Sequence, residues 1–223
     1  MRSSNRSKLL LGAFAGVIVL AIGGSFYYGS MKRHDLESSA AASVADATAR
    51  LRAAGALALE APQAAAQLQA HEAALAESLE RLRAEDASRN KILAEAAELY
   101  LIDVHAMLRV QGNAARALAA ARASRRALAA HMERAEGRGT GWIQRALALK
   151  EKAERDNFDY RTALAALAAL YTAHPESQEK LRAAAPGAPL LADEERQRLH
   201  RAAREAEAKA GQDLEQLRRL PIG

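Results

Sequence analysis

Lys91-Ile-Leu-Ala-Glu-Ala-Ala-Glu-Leu-Tyr-Leu-Ile-Asp-Val-His-Ala-Met-Leu-Arg-Val-Gln-Gly-Asn113 opens the longest periodic stretch of this chain, which runs on to Glu136. Leu93, Ala97, Leu101, Val104, Leu108, Ala115, Leu118 and Leu128 follow spacings of three and four, which stack side chains on one face of an α-helix. Leu93, Leu101, Val104, Leu108, Leu118 and Leu128 are therefore candidate helix-interface residues. Gly112-Asn113 interrupts the register, at a cost of about 1 kcal/mol against Ala if a helix continues through it. The pattern admits one long bent helix or two helices meeting at 111–113.

Working outward, residues 37–60 form a helical stretch whose serines and alanines promise only loose packing, broken near Glu60 by Pro62. Residues 63–84 carry Leu68, Leu75, Leu79 and Leu82 at helical spacing, with His71 on the same stripe. The polar run from Ala84 to Asn90 reads as a turn or as continuous helix. Downstream, Glu136-Gly-Arg-Gly-Thr-Gly141 reads as a glycine turn, and Trp142 to Arg155 as a helix. Asp156-Asn-Phe-Asp159 reads as a break followed by an N-cap, and Tyr160 to Ala173 as another helix, stopped by His174-Pro175. Ala183 to Pro189 is rich in Pro, Gly and Ala. Asp193-Glu-Glu195 opens a last helix with the acidic first turn that suits the helix dipole. No segment alternates with period two. Ala, Leu, Arg and Glu dominate, aromatics are 4%, and the expected fold is all-α: an extended helical bundle or antiparallel coil.

Leu9 to Ser30 has a different character, with twenty-two residues and no charge. At 1.5 Å per residue it spans roughly 33 Å, enough to cross the hydrocarbon core of a bilayer. Arg2, Arg6 and Lys8 precede it, and Lys32 and Arg33 follow. Its run is longer than a secretory signal normally carries. The expectation is an uncleaved single-pass anchor, with Leu9 and Leu20 in the apolar core and Phe26, Tyr27 and Tyr28 at the headgroups. Gly12 and Gly16 form a small-xxx-small pair on which two anchors could pack. The small excess of basic residues before the segment favours a cytoplasmic N-terminus. The expected organisation is a basic tail (1–8), an anchor (9–30), a helical spacer (31–62), a helical domain (63–183), a Pro/Gly linker (184–192) and a C-terminal helix (193–223).

Charge removes one function class. The chain is +5 overall, with a pI near 9.7. All 27 acidic residues lie at or after Asp35, and five of the 32 Lys and Arg lie before it, so the remainder is neutral. Arg116, Arg122, Arg125 and Arg126 form a local basic patch, but no broad basic face with aromatics exists to grip nucleic acid. With no cysteine, disulfides and thiolate metal sites are excluded.

Other motifs carry little chemistry. Gly137-x-Gly139-x-Gly141 matches a nucleotide-binding loop in spacing only, because such a loop leaves a strand and a helical stretch precedes this one. The six His residues (34, 71, 105, 131, 174 and 200) lack the H-x3-H and H-E-x-x-H spacings of metal sites. No Ser/His/Asp order stands out. No cofactor or metal is expected.

The block Ala94 to Leu118 resembles the most recognisable segment of the HemX-like proteins of Gram-negative bacteria. Glu98, Leu101, Leu108, Val110, Asn113, Ala117, Leu118 and Leu128 carry the match. Arg145-Ala-Leu147 and Asp159 with Ala163, Leu164 and Leu167 resemble that family's next helices. The chain departs from the family at Leu101-Ile-Asp103 and at Val104-His105. The resemblance implies a single-pass protein of the bacterial inner membrane, with its N-terminus in the cytoplasm and a periplasmic helical domain. Tyr160 to Ser177 also looks like the second helix of a tetratricopeptide repeat, without a second copy at that period. The expected function is a non-enzymatic membrane-anchored scaffold, partnered by the lipid bilayer and by other envelope proteins or its own copies. The alternative is a helical sensor or adaptor domain that binds a small ligand or peptide.

Overall fold

The computed structural model describes residues 36–85, 90–134 and 139–222. The expected anchor, with Leu9, Gly12, Gly16, Leu20, Phe26, Tyr27 and Tyr28, lies outside the described residues. Among those described, regular structure is entirely helical, and no helix is long and apolar enough to cross a membrane. The helices are α1 (36–56), α2 (Ala64–Ala84), α3 (Lys91–Glu133), α4 (Thr140–Ala173), α5 (Pro175–Ala184) and α6 (Asp193–Arg219).

α3 is the axis. Its 43 residues span about 64 Å. Asn90 caps it, accepting from the Leu93 amide through Oδ1 at 3.2 Å. It passes through Gly112 and Asn113 without a break. Gly112 is buried where α2 crosses, and Gln111 beside it donates from Nε2 to the Ala54 carbonyl at 2.8 Å. Packing from two neighbouring helices thus outweighs the local cost of glycine.

The other helices alternate in direction around this axis. Arg83–Glu98 (2.8 Å) and Glu72–His105 (3.7 Å) show α2 antiparallel to α3. Thr48–Tyr100 and Ala54–Gln111 show α1 parallel to it. α4 returns antiparallel, starting at a corner where His131 stacks on Trp142 with centroids 5.0 Å apart. α6 returns against α4, as Arg161–Glu207 and the Lys150 bonds to the Arg218 and Leu220 carbonyls record.

Two expected features differ in the structure. α4 runs unbroken through Asp156-Asn-Phe-Asp159. Asn157 is fully buried there, its Nδ2 donating to the Ala153 carbonyl at 2.8 Å and its Oδ1 accepting from Arg125, while Lys152 pairs with Asp156 across one turn. Satisfied in this way, an asparagine loses its usual reason to break a helix. The second difference is α1. Leu36, Ala40, Val44, Ala47, Leu51 and Ala54 are all nearly or wholly buried in the main core. Alternating large and small side chains let this helix approach closely, so it packs tightly with little apolar bulk.

The remaining boundaries are local in origin. α1 ends before the Pro62 turn. α4 stops at Ala173, and α5 restarts with Pro175 in its first turn, where the missing N–H costs nothing. The segment 185–192 is a strap laid on the bundle: Leu191 is buried and its carbonyl accepts from Gln178 Nε2 at 3.2 Å. Glu195 in the first turn of α6 accepts from the Ala192 amide and pairs with Arg52 of α1 at 3.1 Å, fixing α6 to the bundle.

Candidate docking groove

The six interface candidates divide. Leu93, Leu101, Val104, Leu108 and Leu128 are buried in the chain's own core, joining its helices to one another. Leu118 is half-buried and faces a groove. That groove was not evident in the sequence, because it depends on α6 returning beside the far half of α3.

Where α6 begins, the last turn of α1 lies over the seam between α3 and α6. Its last turn meets both: Ala54 accepts from Gln111, and Gly55 faces Leu199. A Cβ at Gly55 would lie 2.5 Å from Leu199 Cδ2, so glycine permits this close approach. α1 then stops, and the turn after it makes an ionic contact, Glu60 with Arg122 at 3.1 Å. Beyond it α3 and α6 each continue against α4.

Two adjoining cavities of about 370 and 340 Å³ lie along this uncovered seam. Arg125 and Asp213 bridge it at 2.9 Å and belong to the lining of both cavities. Asn157 accepts a second bond from the same guanidinium, while Arg125 Nε is buried with no partner. The walls are apolar: Leu118, Leu128 and Met132 from α3, and Ala210 and Leu217 from α6 with Leu220 at its C-cap. With Ala121 and Arg125 in the first row and Ala206 and Asp213 in the second, each row steps by three and four, so the groove has the spacing of a helix-packing seam.

Its rim leans positive. Arg122, Arg125 and Lys209 stand against Glu60 and Asp213, and both carboxylates already hold an arginine. The Tyr160 phenol lines the same cavity, and burial pushes its pKa up, helped by Glu60.

A second polar cluster, which sequence order concealed, joins Asp103 of α3 to His174 and Ser177 at the α4–α5 corner. Ser177 Oγ donates to Asp103 Oδ2, and His174 Nδ1 lies 3.6 Å from the same oxygen. Burial pushes the Asp103 carboxyl up, but hydrogen bonds from His174 and Ser177 outweigh it and hold the group below its ordinary value. A catalytic triad places carboxylate and serine on opposite ring nitrogens. Here both meet the Nδ1 side, while Nε2 is buried without a partner. His174 also lies against Tyr100, whose hydroxyl bonds Thr48 of α1 at 2.7 Å. The cluster works as a latch between α1, α3 and α5.

Among the described residues no group of three His, Asp or Glu is placed to hold a metal ion. Gly139 is the N-cap of α4 and Gly141 lies in its first turn, while Gly137 lies outside the described residues. Comparison with known proteins finds no matching family model, no matching curated protein and no matching solved structure.

Proposed function

We propose that this chain is a non-enzymatic, membrane-anchored helical scaffold of the bacterial envelope, similar in plan to the HemX-like proteins. Residues 9–30 serve as its single anchor, with the N-terminus cytoplasmic and the helical body periplasmic. The observation that carries the reading is the groove between α3 and α6. It is helix-shaped, apolar along its walls and placed at the end of the bundle away from residue 36. The pairing of Thr48 with Tyr100 puts residue 36 level with the start of α3, so the groove begins about 45 Å further along the axis. An anchored body of this kind acts by position. It holds a docking site at a fixed height above the bilayer and raises its effective concentration towards membrane-bound partners.

Crosslinking and pull-down of the full-length protein from membranes, beside a version lacking residues 1–34, tests this reading. A discrete partner set that requires the anchor is expected. Identical products from both versions, or self-crosslinks alone, would overturn the scaffold function.

A further inference from the structure

We propose that the groove between α3 and α6 receives an amphipathic helix of a partner protein, apolar on one face and acidic along its flank. This rests on the scaffold reading and names the partner's chemistry.

Three observations converge. The first is continuity. The seam is already covered where it begins: the last turn of α1 meets Gln111 and Leu199, and Leu57 and Leu59 just beyond it line a cavity with Leu164, Ala203 and Ala206. The groove extends that line past the point where α1 turns away.

The second is size. From Leu118 to Met132 the wall covers four turns, about 21 Å, so some fourteen residues of helix fill it. The opposite wall, Ala206 to Leu220, has the same length and the same three-four spacing. Its small residues sit at the α1 end and Leu217 and Leu220 at the far end. The occupant therefore needs bulk beside Ala206 and Ala210 and smaller side chains beyond the Arg125–Asp213 bridge.

The third is charge. Glu60 and Asp213 are each occupied by an arginine, so Lys209 on the rim is the surplus cation. A carboxylate on the incoming helix would meet Lys209, the rim cation without a partner carboxylate among the described residues. A lysine-flanked helix would meet the same cation unfavourably. Charge on a rim acts mainly on encounter and on choice of partner, which suits selection among envelope helices.

The probe is a pair of synthetic sixteen-residue helices with identical Leu/Ala faces, one flanked by Glu and one by Lys. Each is titrated by fluorescence anisotropy into the full chain in detergent micelles. The Glu-flanked helix is expected to bind saturably and at least tenfold more tightly, with the gap closing at high salt. Ala129→Trp fills the groove from an exposed position and should abolish binding while circular dichroism and the melting temperature stay unchanged. Lys209→Glu should shift preference towards the Lys-flanked helix. Saturable binding of neither helix, equal binding of both, or binding indifferent to Ala129→Trp would overturn the proposal. So would sedimentation showing a dimer that Ala129→Trp dissolves, because a second copy would then be the occupant. The peptides report on the groove without the anchor. Their failure with anchor-dependent crosslinks intact would leave the scaffold standing on another surface.

Discussion

At the level of Leu101 the core is closed by several helices, although Leu99 and Ile102 outside it face solvent, and at the level of Leu128 a groove lies open beside a narrower core. Around Leu101 lie α1, α2, α3 and the α4–α5 corner, and the buried set includes Tyr100, Val104, Met107 and Leu108. Around Leu128 lie only α3, α4 and α6, and the interior is built from Ala121, Ser124, Ala146, Ala153 and the Asn157–Arg125–Asp213 bridge. The same long helices serve both ends. The difference comes from what covers them: α1 and α2 complete one half, and nothing described completes the other. The closed half holds the larger buried cluster, and the open half leaves an apolar seam that another helix can complete.

The largest expected effect lies in the closed half. Leu108→Ala removes a wholly buried side chain packed on all sides and should cost about 3 kcal/mol in chemical denaturation. Leu118→Ala, half-buried on the groove wall, should cost less than about 1.5 kcal/mol. Equal losses at the two sites would erase the distinction between the halves.

Next comes the polar bridge. Asn157→Ala removes an acceptor from Arg125 and leaves a small hole, at an expected cost of about 1–2 kcal/mol. Replacing Arg125 and Asp213 together by Leu should cost about 1–2 kcal/mol, because the buried Asn157 Oδ1 loses its donor, and Arg125→Leu alone should cost more, because Asp213 loses its partner as well. A double variant as damaged as the single one would mean that the ion pair itself holds the open half together.

Gly112→Ala sharpens the comparison from the opposite direction. A Cβ there would meet Leu68 Cβ at an ordinary 3.7 Å, and alanine favours helix, so a gain of about 0.5–1 kcal/mol is expected in thermal unfolding.

Titration should give the smallest effects. Burial raises the Tyr171 phenol above its ordinary value. The folded state therefore keeps that proton longer than the unfolded chain does. Its contribution is intact below about pH 10 and lost as pH rises further. Tyr171→Phe should flatten the alkaline limb of a stability–pH curve. Asp103 has the opposite sign: held below its ordinary value, it supports the fold above about pH 4 and loses that support as pH falls through its folded value. Asp103→Asn should flatten the acid limb, and an unchanged limb would deny the latch at the α4–α5 corner any linkage to pH.

The helical class was legible from periodicity and composition, and α2 and α6 begin within a residue of where the sequence places them. What escaped was the effect of tertiary partners on local signals. Asn157 reads as a break until Arg125 and the Ala153 carbonyl are found around it. Ala40, Ala47 and Ala54 read as weak packing until their neighbours are close enough for small side chains to fill the space. The segment 184–192 reads as a free linker, although Leu191 is seated in the core. The groove was the least legible feature, because its walls lie about ninety residues apart and only the return of α6 beside α3 creates it.

Hydrogen exchange on the full-length chain, with and without the Glu-flanked helix, tests the contrast most directly. Amides of 93–108 should open only with global unfolding. Those of 118–132 and 206–220 should exchange at least about tenfold faster and slow when the helix is added, with little change at 93–108. Uniform protection along α3, unaltered by the helix, would contradict an open end built to be completed by a partner.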